Sequence, residues 1–192
     1  ESMRKIVLAL LGFSLLVVLG QSGSTFTPEE QKLLQTGGKE FYTALVEQPK
    51  DQALCSQHKD QLPPDQLPGF LQGQKALIKY PAKLMGDWKR GGAIFNDMAR
   101  ANCFSCHYGS PVYWGGNVGP SLEKYAQRGS SEAIQRYTYE IIYNSWAYFP
   151  CTVMYRFGVH GLLTPEEIAD VVAYLLDPAS DFNTKPAATG SK

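Results

Sequence analysis

The chain has 192 residues, enough for one compact domain with an extension or for two small domains. Its 18 basic side chains balance its 18 acidic ones, so the formal charge is zero. No basic stripe stands out that would neutralise a run of phosphates, which argues against a nucleic-acid partner.

At the N-terminus Arg4 and Lys5 precede an apolar run from Ile6 to Gly20, followed by small polar residues. That is the charged region, hydrophobic region and small-residue exit of a secretory signal peptide, assigned to residues 1–22. The run is shorter than the roughly 20 residues a spanning helix needs, which makes a retained membrane anchor the second reading. Export points to the periplasm, where thiols tend to oxidise. That compartment gives each of the four cysteines, at 55, 103, 106 and 151, a chemical question to answer.

Thr27, Pro28 and Glu29–Glu30 have the N-cap, first-turn and acidic pattern of a helix start, and Gly37–Gly38 interrupt that helix before about Val46. Residues 60–74 are rich in Pro, Gly and Gln and read as an extended connection. Residues 23–85 as a whole read as an N-terminal extension that packs on the domain C-terminal to it. From Gly86 the composition changes. Trp88, Ile94, Phe95 and Met98 fit one helical face, with Met98 as core. Gly91 and Gly92 lie inside that helix at a cost of about 1 kcal/mol each, which predicts the close approach of a second helix. "CFSCHYGSPVYWGGNVGPSL" is loop. "SSEAIQRYTYEIIYNSW" is a third helix with Ile134, Tyr137 and Ile141 on its apolar face and Ile142 at the edge. An aromatic loop, "YFPCTVMYRFGVHG", leads to "TPEEIADVVAYLLD". There Thr164 and Glu167 form a capping box around Pro165, and Ile168, Val171, Val172 and Leu175 make one face. Residues 86–180 therefore read as an all-α domain, and residues 181–192 as a polar, flexible tail.

Cys103, Cys106 and His107 admit three chemistries. Cys-x-x-Cys-His is the spacing of covalent c-type haem attachment, with His107 on the iron. Cys55 and His58 could join Cys103 and Cys106 as four zinc ligands. A thioredoxin-like thiol pair needs a strand leading in and a helix starting at the first cysteine, whereas a helix leads in here and a glycine-rich loop comes next. Export in front of the motif favours haem. The other ring nitrogen of His107 then needs an acceptor, and the iron needs a sixth ligand. Met85, Met98, Met154, His58 and His160 are the candidates, and Met154, in a loop between two helices, suits a thioether on the far haem face. With two thiols used by haem, Cys55 and Cys151 remain. They are either bridged, which would tie the extension to the Met154 loop, or independently buried.

This order of elements resembles a class I cytochrome c, in which the first and last helices cross closely. Gly91 or Gly92 with Phe95, and Tyr174 opposite, match that crossing. Gly119-Pro120 matches the loop whose proline carbonyl, here Pro120, accepts from the proximal histidine. "KYPAKLMGDWKRG", "GNVGPSLEKY", "RYTYEIIYNSWAYFPCTVMYRFG" and "GLLTPEEIADVVAYLLDP" are similar to the SoxX family, the monohaem subunits of SoxAX thiosulfate-oxidising complexes. The resemblance runs from about Cys55 to Asp181, and "FPC–Met–RFG" is its most specific part. Tyr155 departs from the family, which has proline there.

The resemblance implies one covalent haem c and a SoxA-type haem subunit as partner. It also implies a SoxY-type carrier reached through that complex, a soluble cytochrome as electron acceptor, and no catalytic residue of this chain's own. The second reading is a free-standing electron shuttle, and the third an exported zinc-binding module. Arg156 and Lys83 are expected to meet haem propionates, a partner or solvent. Tyr113, Trp114, Trp146 and Tyr148 are expected as pocket walls or interface.

Overall fold

A computed structural model describes residues 28, 32, 48–59 and 61–186. The signal peptide, most of the Thr27–Val46 helix and residues 187–192 lie outside the described residues; Pro28 and Lys32 are helical. The chain divides into Glu1–Lys50 and Asp51–Lys192, and the second unit holds the core and the site. The helices are α1 (Lys50–His58), α2 (Leu67–Ala76), α3 (Trp88–Phe95), α4 (Glu132–Tyr143), α5 (Pro165–Leu176) and α6 (Asp181–Thr184), and no strand occurs among the described residues. No helix among them is long and apolar enough to cross a membrane.

The core is organised by the crossing of α3 and α5. Asp87 caps α3 by accepting from Lys89 N and Arg90 N, and the expected capping box starts α5, with Thr164 and Glu167 bonded reciprocally. The two glycines of α3 let its backbone meet α5: a Cβ at Gly91 would stand 1.9 Å from the Asp170 carbonyl oxygen, and one at Gly92 would stand 2.9 Å from the Tyr174 ring. The buried Asp170 carboxylate fixes the crossing. It accepts from Asp87 N at 2.6 Å and from Arg90 Nε and Nη2 at 2.8 and 2.9 Å. Phe95 and Tyr174 pack with ring centres 5.5 Å apart, as the glycine pattern predicts.

Four expectations change. Residues 67–76 form α2 rather than extended connection. Pro68 falls in the first turn, where its missing N–H costs nothing, Gly69 and Gly73 face open space, and Phe70 and Gln74 point inward one turn apart. The polar tail does not begin at 181. Phe182 on α6 is 5% exposed and completes an aromatic trio with Phe95 and Tyr174, at 5.6 and 5.2 Å. On α4 the fully buried side is Tyr139, Ile142 and Tyr143, not the Ile134–Tyr137–Ile141 stripe. That stripe is half-buried because Tyr137 and Ile141 line a cavity. Met98, expected in the core, lies beyond the end of α3 and is 69% exposed.

A smaller cluster, Cys55, Leu62, Phe70 and Trp146, joins α1 and α2 to the short 3-10 turn Ser145–Ala147 just after α4. At its centre Cys55 and Cys151 form a disulfide across 96 residues of sequence.

Candidate functional site

After α3 the backbone turns through Asn102 in the left-handed region, φ 45°, into the 3-10 turn Cys103–Ser105. The next loop folds back on the motif. Gly116 N donates to Phe104 O, Gly119 N to Cys106 O and Leu122 N to Tyr108 O, each at 2.8 Å. This places Pro120 O 2.8 Å from His107 Nδ1. A carbonyl can only accept, so Nδ1 is the donor here and Nε2 is the ring nitrogen left for a ligand. Gly119 lies against the imidazole: a Cβ there would be 2.4 Å from Cε1. One hydrogen bond and one missing side chain therefore set the ring.

Cys103, Cys106, His107, Pro120 and Met154 all border a single cavity of about 770 Å³, walled by apolar side chains from α3, α4 and α5. The other candidate iron ligands do not reach it. Met85 borders a separate open groove with Tyr80 and Arg136, Met98 is exposed, His58 lies on α1, and His160 is exposed beside the Tyr155 ring. The two rival chemistries lose their groups as well. Cys55 is consumed by the bridge to Cys151, so the four-ligand zinc set is broken. Burial pushes the Cys103 thiol up to about 12, whereas a thiol poised for exchange needs a lowered value.

Phe149, Met154 and Phe157 of the "FPC–Met–RFG" run also border this cavity. Ser145 Oγ donates to Met154 O at 2.7 Å, and Trp146 Nε1 donates to Thr152 O at 2.9 Å. Arg156 is neither a propionate contact nor a surface charge. It is 5% exposed, its guanidinium lies 3.8 Å from the Trp146 ring centre, and it donates to Asp51 Oδ2 at 2.7 Å and Gln74 Oε1 at 3.1 Å. Lys83 is exposed on the Met85 groove. The four aromatics divide unexpectedly. Trp146 belongs to the disulfide cluster and Tyr148 donates to Glu140, while Trp114 is exposed and Tyr113 stacks on Phe104. None of the four borders the cavity.

Two basic residues that do border it are Arg100 and Arg128. Arg100 pairs with Glu167 at 2.9 Å, and Arg128 lies over the Tyr125 ring at 4.7 Å. In the sequence only their nearness to the motif and its Pro120 loop marks them. Among the described residues no carboxylate borders the cavity. Two thiols on one turn, an imidazole with a free nitrogen, a thioether, apolar walls and two cations are together the donor set that a covalent haem with acidic side chains requires. The residues fit the group.

Comparison with known proteins agrees. The cytochrome c family model matches residues 88–177, from the start of α3 to the residue after α5. A protein of Aquifex aeolicus (strain VF5) named "Uncharacterized lipoprotein" is 40% identical over 170 residues, covering 79% of this chain and 81% of that protein. The helical fold, the haem-attachment motif and the family match converge: residues 88–177 of this chain are a cytochrome c domain, with the all-α class I fold and haem-based electron transfer as its chemistry.

Proposed function

We propose that this chain is the exported monohaem electron-transfer subunit of a SoxAX-type thiosulfate-oxidising pair. Cys103 and Cys106 would hold the haem, with His107 and Met154 as axial ligands and Pro120 O as the acceptor for His107 Nδ1. Bound there, haem supplies a one-electron carrier. Met154 is the single observation behind this ligand set, because it alone among the candidates shares the cavity with His107. A thioether opposite an imidazole favours the ferrous state and so a raised potential.

The coupling of thiosulfate to a carrier thiol forms one S–S bond, releases one proton and delivers two electrons. A single haem passes those electrons on one at a time, from the SoxA-type subunit to a soluble cytochrome. Around the cavity Val118, Phe149, Val153 and Tyr155 are exposed, an apolar rim suited to transient docking of redox partners. The leader and the disulfide support a periplasmic location.

The test is purification of the native chain from the periplasm with haem staining after denaturation. Reduction of its haem by thiosulfate and a thiol carrier is then measured with and without the co-purifying haem subunit. Reduction only in the presence of that subunit is the expected result. Reduction of this chain alone would overturn the relay reading, and reduction by unrelated donors with no co-purifying subunit would leave a free-standing shuttle.

A further inference from the structure

Two side chains of α1, one helical turn apart, grip the loop that carries Met154. Cys55 is bonded to Cys151, three residues before Met154. Asp51 accepts from Arg156, two residues after it, at 2.7 Å. Gln74 of α2 ties the second grip down. Its amide nitrogen donates to Asp51 Oδ2 at 3.0 Å, and its amide oxygen accepts from Arg156 at 3.1 Å and from Asn144 at 3.0 Å. The loop is held in a shape it would not choose alone: Cys151 has φ 60°, a left-handed conformation that a side-chain-bearing residue seldom adopts. Between the two grips, the Met154 carbonyl is held by Ser145 Oγ.

We propose that α1 is a positioning element for the sixth haem ligand, with Cys55 and Asp51 fixing the two ends of the segment that presents Met154. This inference rests on the reading of Met154 as that ligand. A chain segment pinned at both ends within six residues samples few conformations, so Met154 has little freedom to swing away. Removing one pin leaves the other, and removing both lets the loop open. Neither Asp51 nor Cys55 borders the cavity; they act through the loop.

The test uses the full-length holoprotein and five variants: Asp51→Asn, the pair Cys55→Ser with Cys151→Ser, all three together, Met154→Ala and Val172→Ala. The measured quantities are the near-infrared band of methionine-ligated ferric haem, the rate of carbon monoxide binding to the ferrous protein, and hydrogen exchange of residues 149–157. The triple variant is expected to bind carbon monoxide roughly tenfold or more faster than the parent, to weaken the band and to exchange faster across the loop. The single lesions should fall between. Val172→Ala, a buried core truncation on α5, should lower thermal stability with carbon monoxide binding unchanged.

If Met154→Ala keeps the band, the ligand reading fails, and the positioning role fails with it. If Met154→Ala loses the band while the triple variant keeps it and binds carbon monoxide at the parental rate, α1 is only structural and the proposal is overturned. Should the triple variant not fold, the disulfide of the folded parent is reduced with a dithiol, alkylated and measured in the same way. An unchanged carbon monoxide rate there and in Asp51→Asn would equally overturn it.

Discussion

His107 and Met154 sit at opposite extremes of legibility. His107 is specified locally: its motif, the Gly119-Pro120 loop and the hydrogen bond to Pro120 O fall within eighteen residues, Cys103 to Pro120, and the motif and the loop can be read from the sequence. Gly119→Ala should push the imidazole away from its acceptor, because a Cβ 2.4 Å from Cε1 cannot be accommodated without movement. Reduced haem retention and a shifted midpoint potential are expected, and a potential equal to the parent's would contradict this account. On the proposed ligation, Met154→Ala should abolish the near-infrared band and lower the potential, since the variant would lack the thioether that stabilises ferrous haem. Potentiometry with optical detection checks both effects. Arg156 is illegible in the sequence. Its partner Asp51 lies 105 residues earlier, and nothing in "MYRFG" distinguishes a buried clamp from a surface charge.

At the scale of elements, signals that act within one helix are readable and signals that depend on a neighbour are not. α5 carries its own cap, its first-turn proline and a clean apolar period. α2 carries a proline and two glycines, and it is a helix because Phe70 and Gln74 find the Trp146–Arg156 region to pack against. The half-burial of the Ile134–Tyr137–Ile141 face of α4 has the same origin: Tyr137 and Ile141 border the cavity, while Ile134 and Ile141 also pack against the core. Gly91→Ala tests the helix crossing. The added Cβ meets a backbone carbonyl rather than a flexible side chain, so the helices must separate, at about 1–3 kcal/mol. Phe182→Ala should cost about 3–5 kcal/mol by opening the aromatic trio, whereas a truly frayed tail would tolerate it at no cost. Denaturant unfolding of the oxidised holoprotein measures both.

For the whole molecule, the disulfide and the titrating groups set stability. Closing 96 residues between Cys55 and Cys151 corresponds to about 4–5 kcal/mol in the chain-entropy account, and the double serine variant should lose about that much. Burial works against charge on Asp51, but the hydrogen bonds from Arg156 and Gln74 and the charge of Arg156 outweigh it and hold the carboxyl below its usual range. Glu167 is lowered in the same sense: burial opposes it, and Thr164 and Arg100 prevail. A lowered folded value means that the unfolded chain binds protons first as the pH falls. Stability from both groups is therefore present above the ordinary carboxylate range and lost below about pH 4. His160, exposed at its edge but held down by partial desolvation and by the charge of Arg156, starts this loss earlier, below its ordinary 6.5. Burial raises Tyr80, Tyr125, Tyr139, Tyr148 and Tyr174, so the opposite limb begins above about pH 10. Thermal midpoints across pH should trace this plateau, and Asp51→Asn should flatten its acid edge; an edge of unchanged steepness would rule Asp51 out as a cause.

The bridge between residues 55 and 151 also bears on the order in which the protein can be made. Cys55 is the first thiol to emerge from the synthesis or export machinery, and its native partner is the last. Four cysteines allow three complete pairings, and every one of them places a disulfide on the thiols that the haem would need, the native bridge's own counterpart being Cys103–Cys106. Until Cys151 arrives, Cys55 can react only with Cys103, Cys106 or an outside thiol. Capture of Cys103 and Cys106 by haem before then removes both wrong partners at once. On the proposed haem attachment, maturation is a race with a favoured sequence, in which the cofactor is captured first and the Cys55–Cys151 bond closes second.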